Sequence, residues 1–400
     1  MKKMLIIFAL IFMLPMASVG TPFCCTYVFA DNDNAEEKLE QEIKDEVDDQ
    51  LENLDISGLE SLLKNLNSEQ KQVFGAKTFY EKLKSIISGE FSDDTENIWQ
   101  AIIKLVFDEL LKFLPLVASI IAVAILSGML SDMKGGVSAK SVSNITHFVC
   151  YGVIVILVVN ACTSILNLTA STLSSIKAQI DVAFPVMLTL LTAIGGTTSV
   201  GVYQPAVALF SGTIMQIFSM ILMPLFIFTL VFSIISNLTS SVKLDRFTSF
   251  FTTLFKWLTG AIFTIFIGFL VIQGITAGSF DSVSIRTAKY AIRSYVPILG
   301  GYLSEGFNVI MASSVLIKNA IGASGLLLMF ASVLIPLVEI VLFMLCLKLT
   351  SAILEPLDGR TSNFINSVTK TLIMPIVLIV GAMFMYLIFM GLIMCTGNFI

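Results

Sequence analysis

Three consecutive segments decide the fold. They are Ile285-Arg286-Thr287-Ala288-Lys289-Tyr290-Ala291-Ile292-Arg293, the turn Pro297-Ile298-Leu299-Gly300-Gly301, and a nearly continuous hydrocarbon run from Asn319 to Leu347. On a helix, Arg286, Lys289 and Arg293 fall on one side, with Ile285, Ala288, Ile292 and Val296 beside them. That arrangement suits a membrane interface, with apolar groups at the acyl boundary and cations among the headgroups. The proline–glycine turn breaks the segment, and the run that follows is long enough to cross a bilayer.

Composition extends this reading to the whole chain. Of 400 residues, 56% are hydrophobic and 13% charged, against about a quarter charged in a soluble domain. An all-α, polytopic helical membrane protein is the expected class. The net charge of −5 conceals segregation: residues 31–100 carry 19 of the 29 acidic residues, whereas residues 101–400 hold 15 basic and 10 acidic ones. No dense Lys/Arg patch exists, so nucleic-acid binding is not expected.

Lys2 and Lys3 before an apolar stretch from Leu5 to Met16 form the start of a secretory signal. It is expected to span residues 1–30, with cleavage after Val28-Phe29-Ala30. Residues 31–96 then read as an acidic, helical, extracytoplasmic module. Leu39, Ile43, Val47, Leu51 and Leu54 recur near every fourth position, Ser57-Gly58-Leu59-Glu60 fits a capping box, and another short helix is expected over 77–88. So short a segment cannot bury a large core alone, and its acidic run reads either as a solvated face or as a surface that docks on partner proteins outside the cytoplasm.

Residues 97–400 form the transmembrane domain. Spans are expected at 113–131, 147–168, 257–277, 299–317, 321–347 and 371–395, with either one span plus a tilted hairpin or three short spans within 182–240, about seven or eight after the signal. A Ser/Thr-rich connection is expected after 168, and a net-positive cytoplasmic loop at 243–256. A shift of 112 residues superposes Pro185 on Pro297, Pro224 on Pro336, Lys177 on Lys289 and Phe218 on Phe330. This suggests a duplication with repeats at about 145–256 and 257–368, inverted if each holds an odd number of spans and parallel if even.

Catalytic signatures are missing: no H-E-x-x-H, Walker loop or G-x-S-x-G occurs, and His147 is the sole histidine. Hence no catalytic residues, cofactor or metal are expected, and the chain is read as a non-enzyme. Cys150, Cys162, Cys346 and Cys395 lie in apolar runs, where thiols act as small hydrophobes. Glu339 carries the most information, because an ionisable group at bilayer depth within the 321–347 run costs on the order of several kcal/mol unless paired or hydrated. It reads as a polar contact inside a bundle or as lining of a water-filled path. The alternatives are a carboxyl near the interface or one held protonated. Lys318 and Lys348 are candidate partners, although Lys348 reads better as a cation snorkelling from the helix end; Glu305 is a weaker site of the same kind, and Arg286, Lys289 and Arg293 are interfacial anchors or a specific docking or lipid site.

Four segments together resemble the stage III sporulation protein AE family: Ile285-Arg286-Thr287-Ala288-Lys289, Val296-Pro297-Ile298-Leu299-Gly300, Ala312-Ser313-Ser314-Val315-Leu316-Ile317-Lys318-Asn319 and Ala352-Ile353-Leu354-Glu355-Pro356-Leu357. The similarity is strongest over 180–360. It implies a multi-pass component of a channel-like complex in the mother-cell membrane that surrounds the forespore. The implied partners are the other proteins of the same sporulation operon and a forespore-side membrane protein, with residues 31–96 in the intermembrane space. It further implies support of late forespore development, with this chain as conduit or permease-like element. A self-sufficient secondary transporter and a structural scaffold without transport are the competing readings.

Overall fold

A computed structural model describes residues 33–75, 78–88, 95–132, 137–238, 244–295 and 300–397. The expected signal segment and Pro297-Ile298-Leu299 lie outside these residues. Among those described, secondary structure is helical throughout. Four short helices come first: α1 (Asp33–Asn53), α2 (Ser57–Asn65), α3 (Ser68–Phe74) and α4 (Phe79–Ile87). Then follow α5 (Thr95–Asp132) and α6 (Val137–Ala193). The next helix is interrupted by two π turns: α7 (Thr197–Ala208), π1 (Leu209–Ile214), α8 (Met215–Ile217), π2 (Phe218–Leu222) and α9 (Met223–Leu238). Finally come α10 (Asp245–Tyr295), α11 (Gly300–Leu354), α12 (Gly359–Thr371) and α13 (Ile373–Cys395).

Capping explains the short helices locally. Asp55 opens α2 by accepting from the backbone N and hydroxyl of Ser57, at 3.1 and 2.5 Å. These bonds hold the Asp55 carboxyl below its usual range. The start of α2 therefore rests on Asp55 and not on the expected box at Ser57. Thr78 and Glu81 make a reciprocal box at the start of α4, with bonds of 3.2 and 3.3 Å.

The module has no core of its own. Val47, Leu51, Leu59, Phe74, Phe79 and Leu83 are buried in one continuous core with the transmembrane helices. Polar contacts fix the register: the Gln50 amide donates to Ser313 at 3.1 Å and accepts from Ser314 at 2.9 Å, and Gln70 donates to the Ser332 carbonyl at 3.0 Å. The apolar face of the module is thus covered by the chain's own α11 and α6. The physical cause is size, since some 55 residues cannot close a core by themselves.

Six helical stretches are long and apolar enough to cross a membrane among the described residues: Ile103–Ser127, Phe148–Ala193, Thr197–Asn237, Asp245–Gln273, Gly306–Leu354 and Gly359–Cys395. This is fewer than the seven or eight spans expected. The spans expected at 299–317 and 321–347 are one 55-residue helix, and the Ser/Thr-rich connection after 168 is the middle of α6, 57 residues long. At 1.5 Å per residue, α6 extends about 85 Å, nearly three times the hydrocarbon thickness of a bilayer. Its exposed face changes accordingly. Ile145, Phe148, Val149, Val153, Ile156 and Val159 are outward-facing, whereas from Asn160 onward the exposed positions include Thr163, Ser164, Asn167, Ser171, Ser175 and Lys177. Lipid suits the first part and water the second. Cysteines placed at Ser164, Ser171 and Ser175 are expected to react with a membrane-impermeant maleimide in vesicles, and cysteines at Val153 and Ile156 are not. Equal labelling of both sets would refute this boundary.

The basic segment 285–293 is likewise the last part of α10 and not a separate interfacial helix. No proline precedes Pro297 within α10, so the helix runs unbroken to Tyr295. The loop expected at 243–256 is shortened for the same reason, since α10 already begins at Asp245.

Contacts set the directions of the helices. Tyr151 near the start of α6 donates to the Asn237 carbonyl near the end of α9, at 2.8 Å. Phe232 of α9 stacks on Phe251 of α10 at 5.4 Å, and Phe228 packs tilted against the same ring at 5.8 Å. Ser351 of α11 bonds Ser362 of α12, and near its other end α11 meets Met394 and Thr396. Two hairpins of long helices follow in order, α6 with α7–α9 and α10 with α11. Their first members, α6 and α10, run the same way. The boundary expected at 256/257 falls inside α10.

Candidate functional site

Two polar loci interrupt the apolar bundle. The first lies where α3 meets α5 and α11. Phe113 of α5 and Phe343 of α11 pack at 5.3 Å between ring centroids. One turn before each stand Glu109 and Glu339, which the helical repeat places on the same faces. Glu339 is half-buried and interacts electrostatically with Glu109, Lys112 and Glu69 of α3. The Glu109 side chain is 3% exposed, and its Oε1 accepts from Lys112 Nζ at 2.5 Å. Its Oε2 is buried and accepts no hydrogen bond. Glu339 therefore sits at the contact between the acidic module and the bundle, beside other charged groups, and not alone among hydrocarbon side chains.

The second locus is Lys318, which is fully buried. Its Nζ donates to the carbonyl of Met394 at 3.1 Å and to that of Thr396. These are carbonyls at the C-terminal end of α13, where the helix leaves acceptors unpaired and concentrates partial negative charge. Tyr203 bonds Thr396 Oγ1 at 2.8 Å and completes the cap. Twenty-one residues of one helix, about 31 Å, separate Lys318 from Glu339. The two cannot pair, so the expected Lys318 partnership fails on distance. Lys348 is exposed, nine residues beyond Glu339.

Between these loci the bundle is filled with rings. Phe389 of α13 lies 4.6 Å from Phe184, 6.2 Å from Tyr203, 6.4 Å from Phe210 and 6.3 Å from Phe266. This cluster ties together α6, α7, π1, α10 and α13.

The remaining sequence candidates are not gathered at either locus. Arg286 is exposed on the last part of α10, which also carries Lys289 and Arg293, and Glu305 lies near the start of α11. The side chains of Lys289, Arg293 and Glu305 lie outside the described residues. Glu109, Lys112 and Glu69 were missed as site residues. The amphipathic reading of 97–112 already placed Glu109 and Lys112 three apart, on neighbouring positions of one face. Nothing in sequence brings either to Glu339, more than two hundred residues away.

A bundle of long apolar helices with a docked acidic module defines the class: an all-α, multi-pass membrane protein. The chain belongs to the stage III sporulation protein AE family, whose sequence model matches residues 77–397. It is 24% identical over 317 residues to the stage III sporulation protein AE of Bacillus subtilis (strain 168), covering 79% of each chain. No solved structure matches it. The family match makes it a sporulation membrane component.

Proposed function

We propose that this protein is the non-enzymatic conduit or permease-like element of a channel-like complex linking mother cell and forespore. It works there with other proteins of its sporulation operon and a forespore-side membrane partner. The family match across the whole helical bundle carries this reading. On it, the protein sits in the mother-cell membrane around the forespore, with its acidic module on the intermembrane side. The acidic junction at Glu339 is the working site, because buried ionisable groups in membrane bundles mark substrate and ion pathways.

Glu339→Leu is the test. The conduit reading expects loss of late forespore development with normal protein level and normal recovery of the complex. Normal spores from that variant would sink the assignment of Glu339 to a path. The aromatic filling around Phe389 favours a second reading, a scaffold that anchors its partners without conducting. It expects Glu339→Leu to lower recovery of the complex itself.

A further inference from the structure

The junction beneath α3 holds an imbalance that its ion pair does not resolve. Three carboxylates, Glu69 of α3, Glu109 of α5 and Glu339 of α11, interact electrostatically there with the ammonium of Lys112. Lys112 satisfies one oxygen of Glu109 and leaves the other, buried Oε2 without a donor. A buried carboxylate oxygen in that state carries an uncompensated desolvation cost. Among the described residues, no three metal-ligating side chains are grouped so as to hold a metal ion. What the geometry offers is a second carboxyl group, Glu339, one turn before Phe343 as Glu109 is one turn before Phe113, the two rings being packed together.

We propose that Glu339 is a proton-binding site whose carboxylic acid donates a hydrogen bond to the unpartnered Oε2 of Glu109, and that this proton locks the N-terminal module onto the bundle. Glu109 then accepts from Lys112 on one oxygen and from Glu339 on the other. The proton leaves two negative charges against one ammonium. Its release leaves three, and one of these, Glu69, belongs to the docked module. The docked state binds the proton, so docking is strongest at low pH and weakens as pH rises through the titration of Glu339. Gln70 donating to the Ser332 carbonyl and Gln50 paired with Ser313 and Ser314 are neutral contacts, so they hold the module without opposing that response. The inference rests on the reading of this junction as the working site, and its readouts are taken on purified protein, apart from sporulation.

The experiment uses the full chain in lipid nanodiscs. Infrared spectroscopy reads the protonated-carboxyl stretch, and hydrogen exchange, corrected for intrinsic rates, reads the α3 amides of Val73 and Phe74. The wild type is expected to show a protonated-carboxyl band that is lost in Glu339→Gln. Its α3 protection should fall by about tenfold per pH unit as pH rises toward the midpoint of that band and level off above it, the slope set by one coupled proton. Glu339→Gln, whose amide still donates to Glu109, should keep α3 protected at every pH, and Glu69→Gln should flatten the slope. The proposal is overturned if the band persists in Glu339→Gln, or if wild-type protection is independent of pH. It is equally overturned if protection follows sodium, potassium or magnesium concentration at fixed pH, which would mean an inorganic cation fills the site.

Discussion

Phe389→Ala is expected to destabilise the bundle by about 3–5 kcal/mol, the usual cost of emptying a buried aromatic site. Phe389 is fully buried, and its ring meets Phe184, Tyr203, Phe210 and Phe266, which come from α6, α7, π1 and α10. Inside a membrane, lipid tails are as apolar as phenylalanine, so helix association depends on close packing more than on escape from water. A void at this point therefore removes contacts from all these elements at once, and lipid tails cannot reach in to replace them. Unfolding in mixed micelles measures the effect. Ile265→Ala serves as the control, since Ile265 is 66% exposed and its truncation should change stability by no more than about 0.5 kcal/mol. Equal effects from the two substitutions would show that the rings do not hold the bundle together.

Lys318→Met is expected to cost about 1–3 kcal/mol, the penalty for leaving buried acceptors unpaired. Methionine preserves the length of the stem but has no N–H to offer the Met394 and Thr396 carbonyls. The damage should be local, because these carbonyls end α13. The amides of Ile393 and Met394 should exchange faster, and the exposed thiol of Cys395 should label more readily, while α3 stays unchanged. Arginine is not expected to rescue the site. A Cβ on Gly397 would already stand 3.4 Å from Lys318 Nζ and 2.5 Å from Ile194, so a larger head group overfills the space. Full stability of Lys318→Met would mean that the cap does no structural work.

Much of the local structure was legible in the sequence, residue by residue. Leu39, Ile43, Val47, Leu51 and Leu54 announce α1, and the structure buries Val47 and Leu51. Leu105 and Glu109, both inside the stretch read as amphipathic, face inward on α5, and Cys150, Cys162 and Cys346 are buried free thiols. Helix lengths were the weak point. Hydropathy reports which residues tolerate lipid, but a helix does not end where the bilayer does. α6 carries its Ser/Thr-rich stretch as an uninterrupted helix, and α11 passes through Lys318 without a break because Lys318 finds its acceptors on α13.

The chain by itself determined the all-α membrane class, the acidic N-terminal segment and the identity of its costly residues, because composition and period act through neighbours a few positions apart. Glu339 and Lys318 stand out on charge alone. Only the tertiary structure decided what each one meets. Glu339 interacts with Glu109 and Lys112 because α5 and α11 pack together with Phe113 against Phe343. Lys318 caps α13 because the α11–α12–α13 turn brings Thr396 back alongside it. The stretch after Arg293 led the reading to the right fold, yet the meaning of its charged residues came from helices far away in sequence. Their pairing is set by packing, and packing has no signature in a single helix.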